Sequence, residues 1–162
     1  MALDATIGGA SSNSYVLRAD ATAYFGDRLD TTEWDDASNA SMDSALVMAT
    51  LRLDQEEWVG TRADEDQNLK WPRYGVYVDG IYQDSDAIPR PIEEATYELA
   101  LAILKDTTLL ADTGLEGFAN VKLGELDVTP RFREGGTLPA EVERLLRGLK
   151  TSSAYTGRLL KS

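Results

Sequence analysis

A chain of 162 residues with no histidine and no cysteine leaves carboxylates, hydroxyls, lysines and arginines to do any chemistry. That removes the commonest general base and metal ligand, and with it disulfides and thiolate metal sites. Two groups of acids invite a functional reading. In ADEDQN, Asp64, Asp66 and Asn68 alternate as at the start of a calcium loop, but position six is Leu69 and position twelve is Gly75, where such a loop needs glycine and glutamate. Glu93-Glu94 has the look of a carboxylate pair, yet acids in the first turn of a helix are ordinary partners of its dipole. No glycine-rich phosphate loop, nucleophile elbow or Ser-His-Asp set can be assembled. The expectation is a protein that is not an enzyme and holds no cofactor or metal.

The other conspicuous constellation is aromatic. Trp58, Trp71, Tyr74, Tyr77 and Tyr82 cluster in the chain, with Arg62 and Arg73 among them. Aromatics interleaved with arginine can stack on single-stranded bases, each stack contributing roughly 1–3 kcal/mol. Trp, Tyr and Arg are also the usual anchors of protein interfaces. The plain alternative is that the tryptophans close a helical core. Pro72 restricts Trp71 to an extended backbone, which suits a rigid corner better than a helix.

These residues must be positioned by a single domain of mainly α class, a small helical bundle with one β-hairpin or extended strand and flexible termini. Residues 1–13, small and polar, read as a flexible arm. A helix follows with Asp20 as its cap and Tyr24, Phe25 and Leu29 on its apolar side. The residues around Trp34 read as a polar connection. Met42, Leu46, Ala49 and Leu53 give the stripe of a helix over about 41–58, capped by Asn39 or Ser41. After a loop, VYVDGIY reads as a tight hairpin about Asp79-Gly80. A central helix then enters at proline, with Ile92, Ala95, Leu99, Ala102 and Ile103 as its stripe. Val121 to Val128 alternates as one strand with a bulge at Gly124, in need of a partner. TLPAEVERLLRGLK makes a last short helix bearing Val142, Leu145, Leu146 and Leu149.

Charge is unevenly spread along the chain. The net charge is −12, residues 1–70 carry 14 acids against 5 bases, and residues 140–162 carry 2 against 5. Nucleic-acid affinity comes mainly from lysine and arginine neutralising phosphates, so the acidic body is a poor binder of DNA and its surface repels DNA passing close by. Neither a secretory leader nor a run of about 20 apolar residues is present, which reads as a soluble, unprocessed chain with no membrane partner.

The segments ATLRLDQEEWVGTR (49–62), LKWPRYGV (69–76), IPRPIEEATYELALAIL (88–104), VKLGELDV (121–128) and LPAEVERLLRGL (138–149) stand in an order that resembles small tailed-bacteriophage head–tail connector, or adaptor, proteins. Many of these carry the label DnaT-like ssDNA-binding protein. The resemblance covers about residues 14–149, the connector domain, and leaves 150–162 as a basic tail. It implies a homo-oligomeric ring, commonly of twelve copies, in the virion neck after assembly in the host cytoplasm. Its partners would be the portal protein and downstream tail or neck proteins, with DNA passing through the lumen without specific binding. By that resemblance Trp58, Gly60 and Arg62 match a Trp-x-Gly-x-Arg motif, and Trp71, Pro72 and Arg73 match Trp-Pro-Arg; Tyr74 stands where a smaller residue is more usual. Val121, Leu123, Leu126 and Val128 are candidates for pairing with a neighbouring subunit. Lys150, Arg158, Leu159, Leu160 and Lys161 are candidates for docking on the portal or another acidic partner. The alternative is a single-stranded DNA-binding replication protein, which would need a concentrated basic groove.

Overall fold

The computed structural model describes residues 2–110, 121–123, 126–128 and 138–151. Its frame is helical: α1 (Arg18–Phe25), α2 (Thr32–Asp35), α3 (Asn39–Leu53), α4 (Arg90–Lys105) and α5 (Ala140–Leu145). Three short antiparallel pairs interrupt it: β1 (Thr61–Arg62) with β2 (Arg73–Tyr74), β3 (Tyr77–Val78) with β4 (Ile81–Tyr82), and β5 (Val121–Leu123) with β6 (Leu126–Val128).

The core is organised by α4. Ile92, Ala95, Thr96, Tyr97, Leu99, Ala100, Leu101 and Ile103 are all buried, so more than half the circumference of the helix is covered, as its broad apolar stripe requires. α3 packs along it, and α2 and α5 lie against it too. Pro89 precedes the helix and the first turn carries Glu93, the arrangement that the missing N–H of proline and the helix dipole both favour. Thr96 is fully buried and its Oγ1 donates to the Ile92 carbonyl at 2.7 Å, which satisfies its hydroxyl within the helix.

Several expected boundaries shift. α3 is capped by Ser38, whose side chain accepts from the Ser41 N–H at 3.1 Å, rather than by Asn39 or Ser41. It stops at Leu53, five residues before the expected end, with Asp54 as its C-cap. α1 begins two residues before Asp20 and has no side-chain cap. Leu29, expected on the apolar side of that helix, lies beyond its end at Gly26 and stands fully in solvent. The polar connection contains a helix of one turn, α2, whose Trp34 is fully buried with its ring 5.0 Å from that of Phe25. Between 121 and 128 the chain makes two paired strands rather than one bulged strand. The register is Val121↔Val128, Lys122↔Asp127 and Leu123↔Leu126. Two residues separate the strands, the length of a tight hairpin connection, so each strand finds its partner within the chain.

The arm expected over residues 1–13 is, in the described residues 2–13, folded back together with Ser14 in a hydrogen-bonded loop. The Asp4 N–H donates to Asn13 Oδ1 at 2.8 Å, and the N–H groups of Asn13 and Ser14 donate to the Asp4 carbonyl at 2.9 and 3.0 Å. Asn68 then ties the loop to the body, donating from its backbone to the Gly9 carbonyl and from Nδ2 to the Ser12 carbonyl at 2.8 Å. Small polar residues serve a close-packed loop as well as a free one, because their short side chains bond to nearby backbone.

Leu99 and Leu29 test this division of the apolar residues. Leu99→Ala should lower unfolding stability by about 2–5 kcal/mol in denaturant titrations. Leu29→Ala should stay within about 0.5 kcal/mol of the parent chain.

Candidate functional site

The long connection between α3 and α4 is built around two tryptophans. Trp58 and Trp71 are both buried and meet edge to face, with ring centroids 5.6 Å apart and planes at 70°. The Trp71-Pro72 peptide bond is cis, and the Pro72 carbonyl accepts from the Ala63 N–H at 3.1 Å, extending the antiparallel β1–β2 pairing by one step. Arg73 follows and folds inward: Nε donates to the Val59 carbonyl at 2.8 Å, Nη2 to Gly60 at 2.7 Å and Nη1 to Lys70 at 3.1 Å. Its guanidinium carbon lies 6.0 Å from the Trp71 ring centroid. The five N–H donors of arginine form a fixed fork, so one side chain can answer several carbonyls that no helix or sheet serves.

Arg62 sits directly across the β1–β2 pair from Arg73. Like charges opposite one another in a pair are unfavourable. The two avoid each other by engaging different carbonyls, since Arg62 Nη2 donates to the carbonyl of Gln67. Gln67 is itself almost fully buried. Its Nε2 donates to the carbonyls of Leu69 at 2.7 Å and Pro72 at 3.1 Å, and its Oε1 accepts from the Asp64 N–H at 2.9 Å. Asp64 Oδ1 accepts from the Asp66 N–H at 2.8 Å, so the calcium-like alternation forms a local turn, and no cluster of potential metal ligands occurs among the described residues.

Gly60 is required by close approach as well as by conformation. Its φ is +73°, and a Cβ there would lie 2.2 Å from the Tyr74 carbonyl oxygen and 3.0 Å from Val76 Cγ2. The glycine of Trp-x-Gly-x-Arg therefore lets the strand of Trp58 run against the strand that follows Arg73. Beneath the corner, Asp54 accepts from the Tyr15 hydroxyl and from the Lys70 N–H at 2.7 Å, which anchors both the N-terminal loop and the start of the Leu69–Arg73 stretch to the end of α3. Burial, together with the charge of Asp54, raises the Tyr15 hydroxyl well above the ordinary tyrosine range.

The aromatic cluster divides in two. Trp58 and Trp71 are inside, whereas Tyr74, Tyr77 and Tyr82 are exposed, with Ile81 beside them at 68 % exposure. Tyr77 and Tyr82 face each other across β3–β4 with ring centroids 5.4 Å apart. Asp79 at φ 51° and Gly80 at φ 80° make the turn, the left-handed pair that a tight hairpin demands.

Lys150, expected with the docking tail, is held by the body. The chain near it lies antiparallel to Glu57–Val59: the Val59 N–H donates to the Leu149 carbonyl at 2.9 Å and the Thr151 N–H to the Glu57 carbonyl at 3.0 Å. Lys150 Nζ reaches Glu56 Oε2 at 2.6 Å and Glu143 at 3.1 Å. Burial pushes the Glu56 carboxyl up, but hydrogen bonds from Lys150 and Arg52 outweigh this and hold it below its ordinary value of 4.5. Arg158, Leu159, Leu160 and Lys161 lie outside the described residues, and Val121, Leu123, Leu126 and Val128 are placed only as members of the β5–β6 pair. Sequence reasoning missed Gln67, Asp54 and Tyr15, for which neither periodicity nor motif offers a signal. The repeated contact of Trp58 and Trp71 with one loop was signalled only by their closeness in the chain.

One family model matches residues 1–161; its description is "Putative DnaT-like ssDNA binding protein". No curated protein matches. Nor does any solved structure. No helix among the described residues is long and apolar enough to cross a membrane.

Gly60→Ala meets both a backbone oxygen and a positive φ, while Gly75 has the same φ of +73° and open space around it. Gly60→Ala should therefore cost more than about 2 kcal/mol, and Gly75→Ala only the conformational term of about 1 kcal/mol, compared by thermal unfolding. For Glu56, a folded pKa below the unfolded value means that the unfolded chain takes up the proton first as pH falls. Its contribution to stability is present above about pH 4.5 and is lost below it. The stability difference between the parent chain and Glu56→Gln should accordingly shrink as melts are carried from neutral pH to about 3.

Proposed function

The chain belongs to the family described as putative DnaT-like ssDNA binding proteins, and from that premise we propose that it is a non-catalytic virion protein, a head–tail adaptor whose copies form a ring below the portal and continue the DNA channel towards the tail. One observation carries this reading: the two tryptophans of the motifs and Arg73 are spent inside the chain. Trp58 and Trp71 are buried, and the Arg73 guanidinium is occupied by the carbonyls of Val59, Gly60 and Lys70. They are scaffold, and offer nucleic acid neither a stacking face nor a free cation. The net charge of −12 points the same way, since an acidic lumen lets DNA phosphates slide past without adhering. The large apolar side chains left in solvent on β2 to β4 suit contact with protein.

The second reading, a single-stranded DNA-binding replication protein, is favoured by the family's description and by the exposed rings of Tyr77 and Tyr82. Against it, the chain from Tyr74 to Pro89 carries three aspartates and no lysine or arginine.

Negative-stain imaging of the full chain, alone and mixed with its cognate portal protein, separates the two. Closed rings, or added density beneath the portal, are the expected result. A labelled oligonucleotide should show no binding that rises steeply as salt is lowered. Monomers that ignore the portal and bind the oligonucleotide with a steep salt dependence would overturn the adaptor reading.

A further inference from the structure

The β3–β4 hairpin is a surface built for a partner, and its charges define that partner. Tyr77 and Tyr82 are cross-strand neighbours on one face of this ribbon, Ile81 stands on its other face, Tyr74 lies just before it on β2, and all four are exposed. Val76 and Val78 seat the ribbon on the core, so these exposed side chains are held out from a supported base. From Tyr74 to Pro89 the chain contains Asp79, Asp84 and Asp86 and no lysine or arginine. All three aspartates are exposed, and none has an ion-pair partner among the described residues. The occupant must therefore be cationic and able to lie on tyrosine rings.

The chain itself supplies such a surface. Residues 140–151 hold Arg144, Arg147 and Lys150 against Glu141 and Glu143, and Lys150 is taken up by Glu56 and Glu143. Arg147 is exposed with no ion-pair partner among the described residues. Arg144 is exposed too; its Nε donates to the Ala140 carbonyl at 3.3 Å, and its ion pair with Glu141 at 2.9 Å is an exposed one of little energetic weight. Guanidinium groups stack on tyrosine faces and pair with carboxylates, so one arginine edge answers both features of the hairpin.

We infer that the β3–β4 hairpin docks on a second copy of this chain, against the basic edge formed by Arg144 and Arg147. This rests on the adaptor reading and names the contact that would join neighbours in its ring. Because the two patches belong to different elements, the contact is of the head-to-tail kind, which closes into rings when the rotation between copies allows. Phosphate backbones are disfavoured as occupants, since the three aspartates repel them. Screening makes the contact salt-sensitive, for both patches are exposed before association.

The test is sedimentation velocity of the full chain at low and raised salt, with charge-reversed patches whose folding is checked by circular dichroism. Asp84→Lys/Asp86→Lys and, separately, Arg144→Glu/Arg147→Glu should each weaken self-association about tenfold or more at low salt, and the four substitutions together in one chain should restore it. If wild-type rings form and neither reversal disturbs them, this contact is overturned while the adaptor reading stands. A parent chain that stays monomeric up to its solubility limit overturns this contact; absence of any ring or added density on the portal overturns the adaptor reading separately. If Tyr77→Ser/Tyr82→Ser abolishes oligonucleotide binding and leaves assembly unchanged, the hairpin belongs to nucleic acid and the inference falls.

Discussion

A loop that runs through the interior must find donors for every carbonyl it buries, and here one guanidinium carries much of that demand. Arg73 answers Val59, Gly60 and Lys70, stretches of chain that are ten or more residues apart in sequence, and so ties separate parts of the α3–α4 connection together. Gln67 does the same for Leu69 and Pro72. Leaving such carbonyls unmade would cost about 1–3 kcal/mol each. With them satisfied, Trp58 and Trp71 can close edge to face beneath the loop, Gly60 can pass within contact of the Tyr74 carbonyl, and the segment at Lys150 can lie along Glu57–Val59. The arginines of the two motifs are thus best understood as internal donors. Their closeness to aromatic residues in sequence reflects the packing of one loop.

What the sequence made legible follows the length of each element. α3 and α4 are 15 and 16 residues long, enough for a 3.6-residue stripe to repeat several times, and both stand where their stripes placed them. Asp79-Gly80 announced its hairpin through turn chemistry alone. α2 is a single turn and β1–β2 pairs two residues with two; neither is long enough to show a period, and both exist because Trp34 and the Arg73 fork hold them from outside. For the same reason the division of the aromatics was illegible. Whether Trp71 or Tyr77 faces the core depends on the turn of the chain between β1 and β2 and on a glycine at 75, which punctuate a pattern without giving it a direction. Buried polar groups such as Gln67 are the least legible of all, since their value lies entirely in the carbonyls that the fold brings to them.

The acidic balance of the chain constrains function through where the cations are spent. Arg18, Arg28, Arg52, Lys105 and Lys150 each meet a carboxylate of the body, and Arg62 and Arg73 meet carbonyls. A basic groove needs cations that converge on a shared surface and remain free to meet phosphates. These are dispersed over separate elements and engaged within the chain. The family's description as single-stranded DNA binders and the physical character of this member therefore pull apart, and the exposed tyrosines are where the two readings meet.

The placement of those tyrosines also bears on how well they would bind. The hairpin leaves the Trp71-Pro72-Arg73 corner after only Tyr74 and Gly75, and its base is pinned: Val76 is fully buried, and its carbonyl accepts from the Gln83 N–H at 2.9 Å. The tyrosine rings are consequently displayed from a fixed base, which reduces the ordering cost that an interface must offset on association. A stacking surface for a flexible single strand gains less from such rigidity, because the strand's own backbone must still be ordered. A contact repeated between identical rigid subunits would gain from it at every interface, and that asymmetry is the physical reason for preferring the assembly reading proposed above.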